Sequence, residues 1–217
     1  MPVVTFPLSV AGFFATLPVK SIRFDAPVQV EASQTGRGEF YTAEIGQQLW
    51  VGRVSLGQMT ALETSNIQTL LNLLEPPGRS FYAYDTRRPA PLSDPLGTIL
   101  GASVPTIQSL PSGNREMALQ ALPAGYVLTR GDYIAFDYGG VRALHRVVAA
   151  TAVASGVGVT PVFEVLPFLQ PGVTVGTAVT LIKAACKAVM IPGSVDYGTT
   201  FHGHTEGSAF DFQQTLG

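Results

Sequence analysis

Apolar residues recur at helical spacing over one segment of the chain. The apolar positions of this segment are Leu62, Ile67, Leu70, Leu71 and Leu74. Thr60 and Glu63 have the spacing of a capping box, and Thr64 falls with other polar residues on the opposite side. Two prolines and a glycine at 76–78 end the pattern. The pattern therefore predicts a helix over about 60–74 that packs one narrow apolar face against a sheet.

Elsewhere the apolar residues form short runs, separated at close intervals by 23 glycines and 16 prolines. This punctuation is typical of short strands joined by turns. Strands are predicted over 21–24, 28–32, 48–54, 80–85, 132–138, 141–148, 159–166, 173–182, 184–191 and 209–214. The polar stretch 33–39 is predicted to be an exposed connection, and the proline-rich stretch 87–96 a loop. The predicted fold class is therefore mainly β.

The clearest hairpin pattern lies in the second half of the chain. Gly139 and Gly140 separate the strands 132–138 and 141–148, and glycine supplies the positive φ angles that tight hairpin turns need. A second hairpin-like unit is predicted to turn at 155–156 and to continue into its next strand.

The last strand alternates apolar and polar residues. Phe210 and Phe212 alternate with Asp211 and Gln213, which predicts a strand with one buried face. We predict two β modules that divide near the proline-rich loop. The last strand is placed to return to the first module, which would make the second module an insertion.

Charged residues are sparse. They form 13% of the chain, against roughly 25% in soluble domains. The hydrophobic fraction is 46% and the mean hydropathy is +0.28. Part of the surface is therefore expected to be covered by other chains. A formal net charge of -2, with no group of basic residues beyond Arg87 and Arg88, predicts that the protein binds no specific nucleic-acid sequence.

Neither an export signal nor a membrane segment is predicted. The apolar run 2–19 lacks a positively charged start and contains Pro7, Gly12 and Pro18. The single cysteine, Cys186, lies in an alanine-rich run. It is predicted to be a small buried apolar side chain rather than a disulfide or zinc ligand.

The candidate metal ligands are His202, His204 and Glu206. Residues two apart on a strand point the same way, so two imidazoles and a carboxylate could face one ion. Gly203 and Gly207, however, make this segment a poor rigid strand, and a purely local ligand set lacks the surrounding groups that orient metal ligands. A solvated or interface loop is therefore predicted, and no residue is assigned to a metal, a cofactor or catalysis.

Structural roles are also predicted for the remaining polar candidates. His145 lies among apolar residues of a predicted strand, without an acid nearby in sequence. The carboxylates are scattered, and turns or strand starts explain them. They are Asp85, Asp94, Asp132 and Asp137. The sequence has no nucleophile elbow, Walker loop or complete dinucleotide-binding loop, so no enzyme is predicted.

Aromatic residues concentrate in and near two of the predicted strands. They are Trp50, Phe81, Tyr82 and Tyr84. The sheet core is the predicted position for most of them, and an exposed platform for a sugar or a protein partner is the alternative.

The order of these features resembles a known family, the distal tail proteins of siphophages and prophages, particularly those of alphaproteobacterial phages. Most of the chain takes part in the resemblance. The matching segments are Leu49-Trp50-Val51-Gly52, the helix end at 71–74, 80–85, the proline-rich stretch, 131–134, 144–148, 162–167 and 210–214.

The resemblance implies a structural subunit of a ring, usually a homohexamer, at the end of the tail tube. Residues 1–95 and 190–217 would form a tail-tube-like β sandwich or barrel with one flanking helix, and 96–189 an inserted small β-barrel domain. The implied partners are copies of the chain itself, the tail tube protein and the hub or baseplate proteins. The implied location is the tip of the virion tail, after assembly in the host cytoplasm.

Two alternatives stay open. One is a carbohydrate-binding module of the phage tip, which needs an exposed aromatic platform. The other is a small metal-dependent β-barrel enzyme built around His202, His204 and Glu206.

Overall fold

The structure is a computed structural model that describes residues 4–217. Its first nine strands are β1 (Val19–Asp25), β2 (Val30–Gln34), β3 (Phe40–Glu44), β4 (Val51–Leu56), β5 (Met59–Thr60), β6 (Phe81–Ala83), β7 (Thr106–Ser109), β8 (Glu116–Gln120) and β9 (Val127–Thr129). The remaining strands are β10 (Tyr133–Tyr138), β11 (Val141–Val147), β12 (Thr151–Val153), β13 (Phe163–Leu166), β14 (Val179–Thr180), β15 (Cys186–Met190), β16 (Thr199–Phe201), β17 (His204–Glu206) and β18 (Ala209–Gln214). Helix α1 (Ala61–Leu74) and a short 3-10 helix (Phe14–Thr16) complete the described part. The predicted mainly β class with one α-helix is confirmed for these residues.

Five antiparallel strands form the first sheet, in the order β1-β4-β18-β15-β6. The predicted return of the last strand is confirmed, since β18 lies between β4 and β15. Phe210 and Phe212 of β18 are fully buried on one face, as their alternation predicts. Gly52 of β4 pairs with Phe212, and a Cβ at Gly52 would lie 2.3 Å from the ring of that phenylalanine.

Helix α1 contributes its buried face to the same apolar cluster as the first sheet. The Thr60 side chain accepts from the backbone of Glu63, and the Glu63 side chain accepts from the backbone of Thr60, which confirms the capping box. The predicted stripe is wrong at two positions: Leu62 is 73% exposed, whereas Thr64 is buried. The buried stripe follows 64, 67, 71 and 74, a spacing that places Leu62 on the far side of the helix.

Six further strands form the barrel, in the order β14-β10-β11-β13-β8-β7. Its two ends meet where Thr106 bridges Ala178 and the Ile107 amide donates to the Thr177 carbonyl (3.0 Å), so the barrel is nearly closed. The predicted turn between β10 and β11 is confirmed, with φ of 53° at Gly139 and 83° at Gly140.

Other predictions for the second half are wrong. The chain does turn at 155–158, but β12 pairs with β9 whereas β13 pairs with β8 and β11, so no hairpin forms there. Of the predicted strand 173–182, only β14 is formed. Eight described strands fall outside the predicted ranges: β3, β5, β7, β8, β9, β12, β16 and β17. Strand β3 lacks a buried face, which is the feature that periodicity detects, and β16 and β17 form where a loop was predicted around His202 and His204.

Buried apolar residues form two clusters, one on the first sheet and one inside the barrel. Strand β15, at 186–190, belongs to the first sheet, where Cys186 pairs with Ala83. The barrel strands run from β7 to β14. The division of the chain into domains at 95, 96, 189 and 190 stays a prediction. No helix within residues 4–217 has the length and apolar character needed to cross a membrane.

Candidate functional site

The candidate metal ligands lie on the small sheet of β16, β17 and β5. His202 occupies the turn of the β16–β17 hairpin with a φ of 33°, while His204 and Glu206 lie on β17. The His204 Nε2 and Glu206 Oε1 atoms are 3.6 Å apart, and both side chains are partly solvated. No three His, Cys, Asp or Glu side chains in 4–217 are grouped to hold a metal ion.

His145 is a buried side chain of the barrel. Its Nδ1 lies 2.6 Å from the Pro167 carbonyl oxygen, and its ring stacks on Phe136 with centroids 5.2 Å apart. Burial lowers the pKa of His145 to about 4, which keeps the imidazole neutral near pH 7. The neutral ring therefore carries its proton on Nδ1 and donates it to Pro167. Its Nε2 is buried without a hydrogen-bond partner among the described residues.

Three of the four aspartates hold the loops that join the sheet to the barrel. Asp94 accepts from the backbone amides of Ile99 and Leu100, and Asp132 from those of Leu92 and Thr129. Asp85 accepts two bonds from the Arg87 side chain, at 2.9 and 2.8 Å, and one from Tyr133.

These bonds also fix the charge of Asp85. Burial opposes ionisation of Asp85, but the hydrogen bonds from Arg87 and Tyr133 outweigh it and lower the pKa of the carboxyl. Asp137, by contrast, is exposed and pairs with Arg142 at 2.7 Å.

The predicted core position of the aromatic residues is confirmed for three of them. Trp50, Phe81 and Tyr84 are buried, and Tyr82 is half-buried. Cys186 is fully buried, as predicted, and burial raises the pKa of its thiol to about 12. These four aromatic residues therefore do not form an exposed platform.

The longest exposed stretch of the described residues is the β2–β3 ribbon with its flanks, residues 27–45, which we call the hairpin arm. Every one of its residues is exposed. It nevertheless carries five large apolar side chains. They are Val28, Val30, Phe40, Tyr41 and Ile45, each at least 49% exposed.

Both faces of the hairpin arm carry negative charge, and they differ in the number of carboxylates, since Glu44 pairs with Val30 on the opposite face. Glu31 pairs across the ribbon with Ala43, and Ser33 with Tyr41, so these residues share one face. The Tyr41 hydroxyl donates to Glu39 at 2.8 Å, which brings a second glutamate to that face. We call it the acidic face. Across the whole arm, three glutamates stand against one arginine.

A second feature is a groove of about 390 Å³ between the first sheet and the barrel. We call it the arginine groove. It is lined by Arg87, Arg88, Arg130 and Arg146 together with Asp85, Gly131 and Tyr133. Only the pair Arg87 and Arg88 is adjacent in sequence, so sequence reasoning missed the cluster. The confirmed β10–β11 turn was the available signal, because it places Arg146 opposite Tyr133.

The outward face of the first sheet is a third open surface. Arg23 of β1, Arg53 of β4 and Asp211 of β18 lie side by side across three strands. The Arg53 Nη1 and Asp211 Oδ2 atoms are 3.5 Å apart, and both side chains are partly exposed. This face therefore carries both signs of charge.

No protein-family model matches the chain, and no curated protein matches it.

Proposed function

We propose that the chain is a non-enzymatic structural subunit of a bacteriophage tail tip. In this role it assembles with copies of itself into a ring, a hexamer on the pattern of the family that it resembles. The ring joins the tail tube to the hub or baseplate. The order of sequence features supports the family, and the exposed hairpin arm is the single structural observation that best supports a subunit of an assembly.

The hairpin arm needs a covering partner on physical grounds. A two-stranded ribbon in water is marginally stable on its own, and three or more strands or a packed face are normally required. Here Phe40 is 67% exposed and Ile45 is 65% exposed, although neither touches a core. Large apolar side chains at a protruding, fully solvated element are typical of a protein–protein interface.

The open edge of the first sheet supports the same role. Strand β1 is a seven-residue edge strand that pairs with β4 alone among the described strands. Exposed edges invite pairing with another chain, and a closed ring removes them. The sparse charge of the chain, 13% of its residues, agrees with flanks that are covered by neighbouring copies.

The outward face of the first sheet suits the wall of a tube. Arg23, Arg53 and Asp211 give this face mixed charge, and the formal net charge of the chain is -2. Such a surface has no strong positive field, so DNA would pass along it without being held.

The proposal is tested with the purified full chain and with intact virions. Native mass spectrometry and electron microscopy are expected to show closed rings at high protein concentration. An antibody against the chain is expected to label virions at the end of the tail that lies farthest from the head. Monomers at every concentration, together with unlabelled tails, would refute the proposal.

A further inference from the structure

The guanidinium groups of the arginine groove are held in place by the protein itself. Arg88 Nη1 donates to Asp132 Oδ1 at 3.0 Å, and Asp132 is fully buried. Arg146 Nη2 donates to the Tyr133 hydroxyl at 2.7 Å, and its guanidinium lies 5.0 Å from the centre of the Trp50 ring. These contacts fix the positions of the side chains before any ligand arrives, which lowers the entropic cost of binding.

Much of the hydrogen-bonding capacity of the groove is unused. A guanidinium has five N–H donors. Within residues 4–217, Arg130 uses only its Nε, which donates to the Val148 carbonyl at 2.8 Å, and Arg146 uses only Nη2. The free donors belong to side chains that line the same groove. They match carboxylate oxygens, which arginine binds through two parallel bonds.

The charge of the groove is positive overall. Four arginines line it, and its two neighbouring carboxylates, Asp85 and Asp132, are already paired. The Asp25 carboxylate also attracts the Arg87 guanidinium from outside the groove lining. With Asp25 included, the net charge at the groove is still positive. Four like charges around one groove favour the binding of an anion.

The hairpin arm has the complementary chemistry. Its acidic face presents Glu31 and Glu39 on either side of Tyr41, and all three are exposed. Strands β2 and β3 have five residues each, which corresponds to a ribbon about 16 Å long. Tyrosine and arginine are also the residues that contribute most at the centres of interfaces.

We propose that the acidic face of the hairpin arm of one copy docks into the arginine groove of the next copy. This docking rests on the proposed ring and names the contact that builds it. The hairpin arm leaves the groove of its own chain open, since every residue of the arm is exposed. Because the arm and the groove are different surfaces of one chain, the contact is head-to-tail, and such contacts generate rings or filaments.

Charge reversal in the full chain tests the docking. Arg130→Glu is the groove variant, because Arg130 is exposed and pairs with no buried carboxylate. Glu39→Arg is the arm variant, and Arg115→Glu, on the barrel outside the groove, is the control of equal charge change. Each of the first two is expected to weaken association about tenfold or more, as measured by analytical ultracentrifugation. The chain with both reversals is expected to regain wild-type association, and the control to keep it.

Crosslinking between differently substituted chains gives a second, independent readout. One chain carries Glu39→Cys and the other Arg130→Cys, while the native Cys186 is fully buried and does not react. Mixed dimers are expected from the mixture under oxidising conditions. Dimers of the Glu39→Cys chain alone would instead indicate a symmetric contact between arms and would overturn the docking.

The outcomes separate the two proposals. Rings that form as in the wild type in each single variant, Arg130→Glu alone and Glu39→Arg alone, would overturn the docking and leave the ring in place. A wild-type chain that stays monomeric would overturn the ring, and the docking with it. Loss of association in the arm variant alone, with the groove variant unchanged, would also overturn the docking, because the arm would then bind elsewhere.

Discussion

At the scale of single residues, two buried polar atoms lack a hydrogen-bond partner, and each is expected to have a measurable effect on stability. His145 Nε2 and Thr64 Oγ1 are both buried without a hydrogen-bond partner among the described residues. A buried polar group that lacks a partner costs free energy, and a buried histidine also resists protonation. Each of the two residues leads to one prediction about stability.

The first prediction concerns pH. The unfolded chain protonates His145 near pH 6.5, whereas the folded chain does so only near pH 4. The unfolded state therefore binds more protons in this interval, and the free energy of unfolding falls as the pH is lowered from 6.5 to 4. The fall attributable to His145 is about 3 kcal/mol. Urea denaturation at a series of pH values measures it.

The variant His145→Phe is expected to remove this part of the pH dependence, whatever its effect on stability at pH 7. His202→Asn is the matched control, because His202 is exposed and asparagine tolerates its positive φ of 33°. Equal pH slopes in wild type and His145→Phe would contradict the assignment.

The second prediction concerns Thr64. Thr64→Val keeps the shape of the side chain and removes the unpaired hydroxyl, so it is expected to raise the free energy of unfolding by about 1 kcal/mol. Thr69→Val in the same helix is the control, since its exposed hydroxyl donates to the Ser65 carbonyl at 2.7 Å. A lower stability of Thr64→Val than of wild type would show that the hydroxyl has a partner in solution.

At the scale of the elements, the helices and strands that could be predicted are those with a clear local pattern of apolar, polar and turn residues. Helix α1, the β10–β11 turn and β18 have local patterns that match their burial, and the structure contains all three. Strands β7 and β8 lie at one end of the barrel's strand order and are recognisable only from their partners, because β8 pairs with β13 far along the chain. The arginine groove joins residues from 85 to 146, so it exists only after folding. The pairing of Arg146 with Tyr133 nevertheless follows from the two-residue turn at Gly139 and Gly140, which sets the register of β10 and β11.

The hairpin arm allows a prediction at this scale. The Ile45 amide donates to the Gln29 carbonyl at 2.9 Å, which is the pair that a two-residue turn closes. Replacing 30–44 by Asn-Gly is therefore expected to leave the body folded, with a free energy of unfolding within about 1 kcal/mol of wild type, because the excised residues are all exposed. Calorimetry measures this effect. A collapse of stability would mean that the arm supports the body.

At the scale of the whole molecule, the first sheet and the barrel share packing. The cluster on the first sheet includes Tyr133, Ala135 and Leu144, which belong to barrel strands. Trp50 Nε1 donates to the Leu144 carbonyl at 2.7 Å, and the Trp50 ring stacks on Phe24 with centroids 5.1 Å apart. The sheet and the barrel are therefore expected to unfold together.

Trp50→Phe tests this connection. It leaves the Leu144 carbonyl without its Trp50 donor and is expected to lower the free energy of unfolding by about 1–3 kcal/mol, in one transition followed by circular dichroism. Tyr84→Phe is the control, because the Tyr84 hydroxyl has no hydrogen bond within the described residues. Two separate transitions in the wild type would contradict the coupling.

The position of the hairpin arm in the first sheet also has a mechanical consequence. The arm leaves from Asp25 and returns at Val51, which are paired residues of neighbouring strands. A tension on the arm along the strand direction would pull on β1 and β4 at the same time. The five residue pairs between β4 and β18 would then bear the load at the same time, as in shear, instead of opening one after another. In the proposed ring, an arm rooted in this way would transmit force between neighbouring copies without peeling the sheet apart.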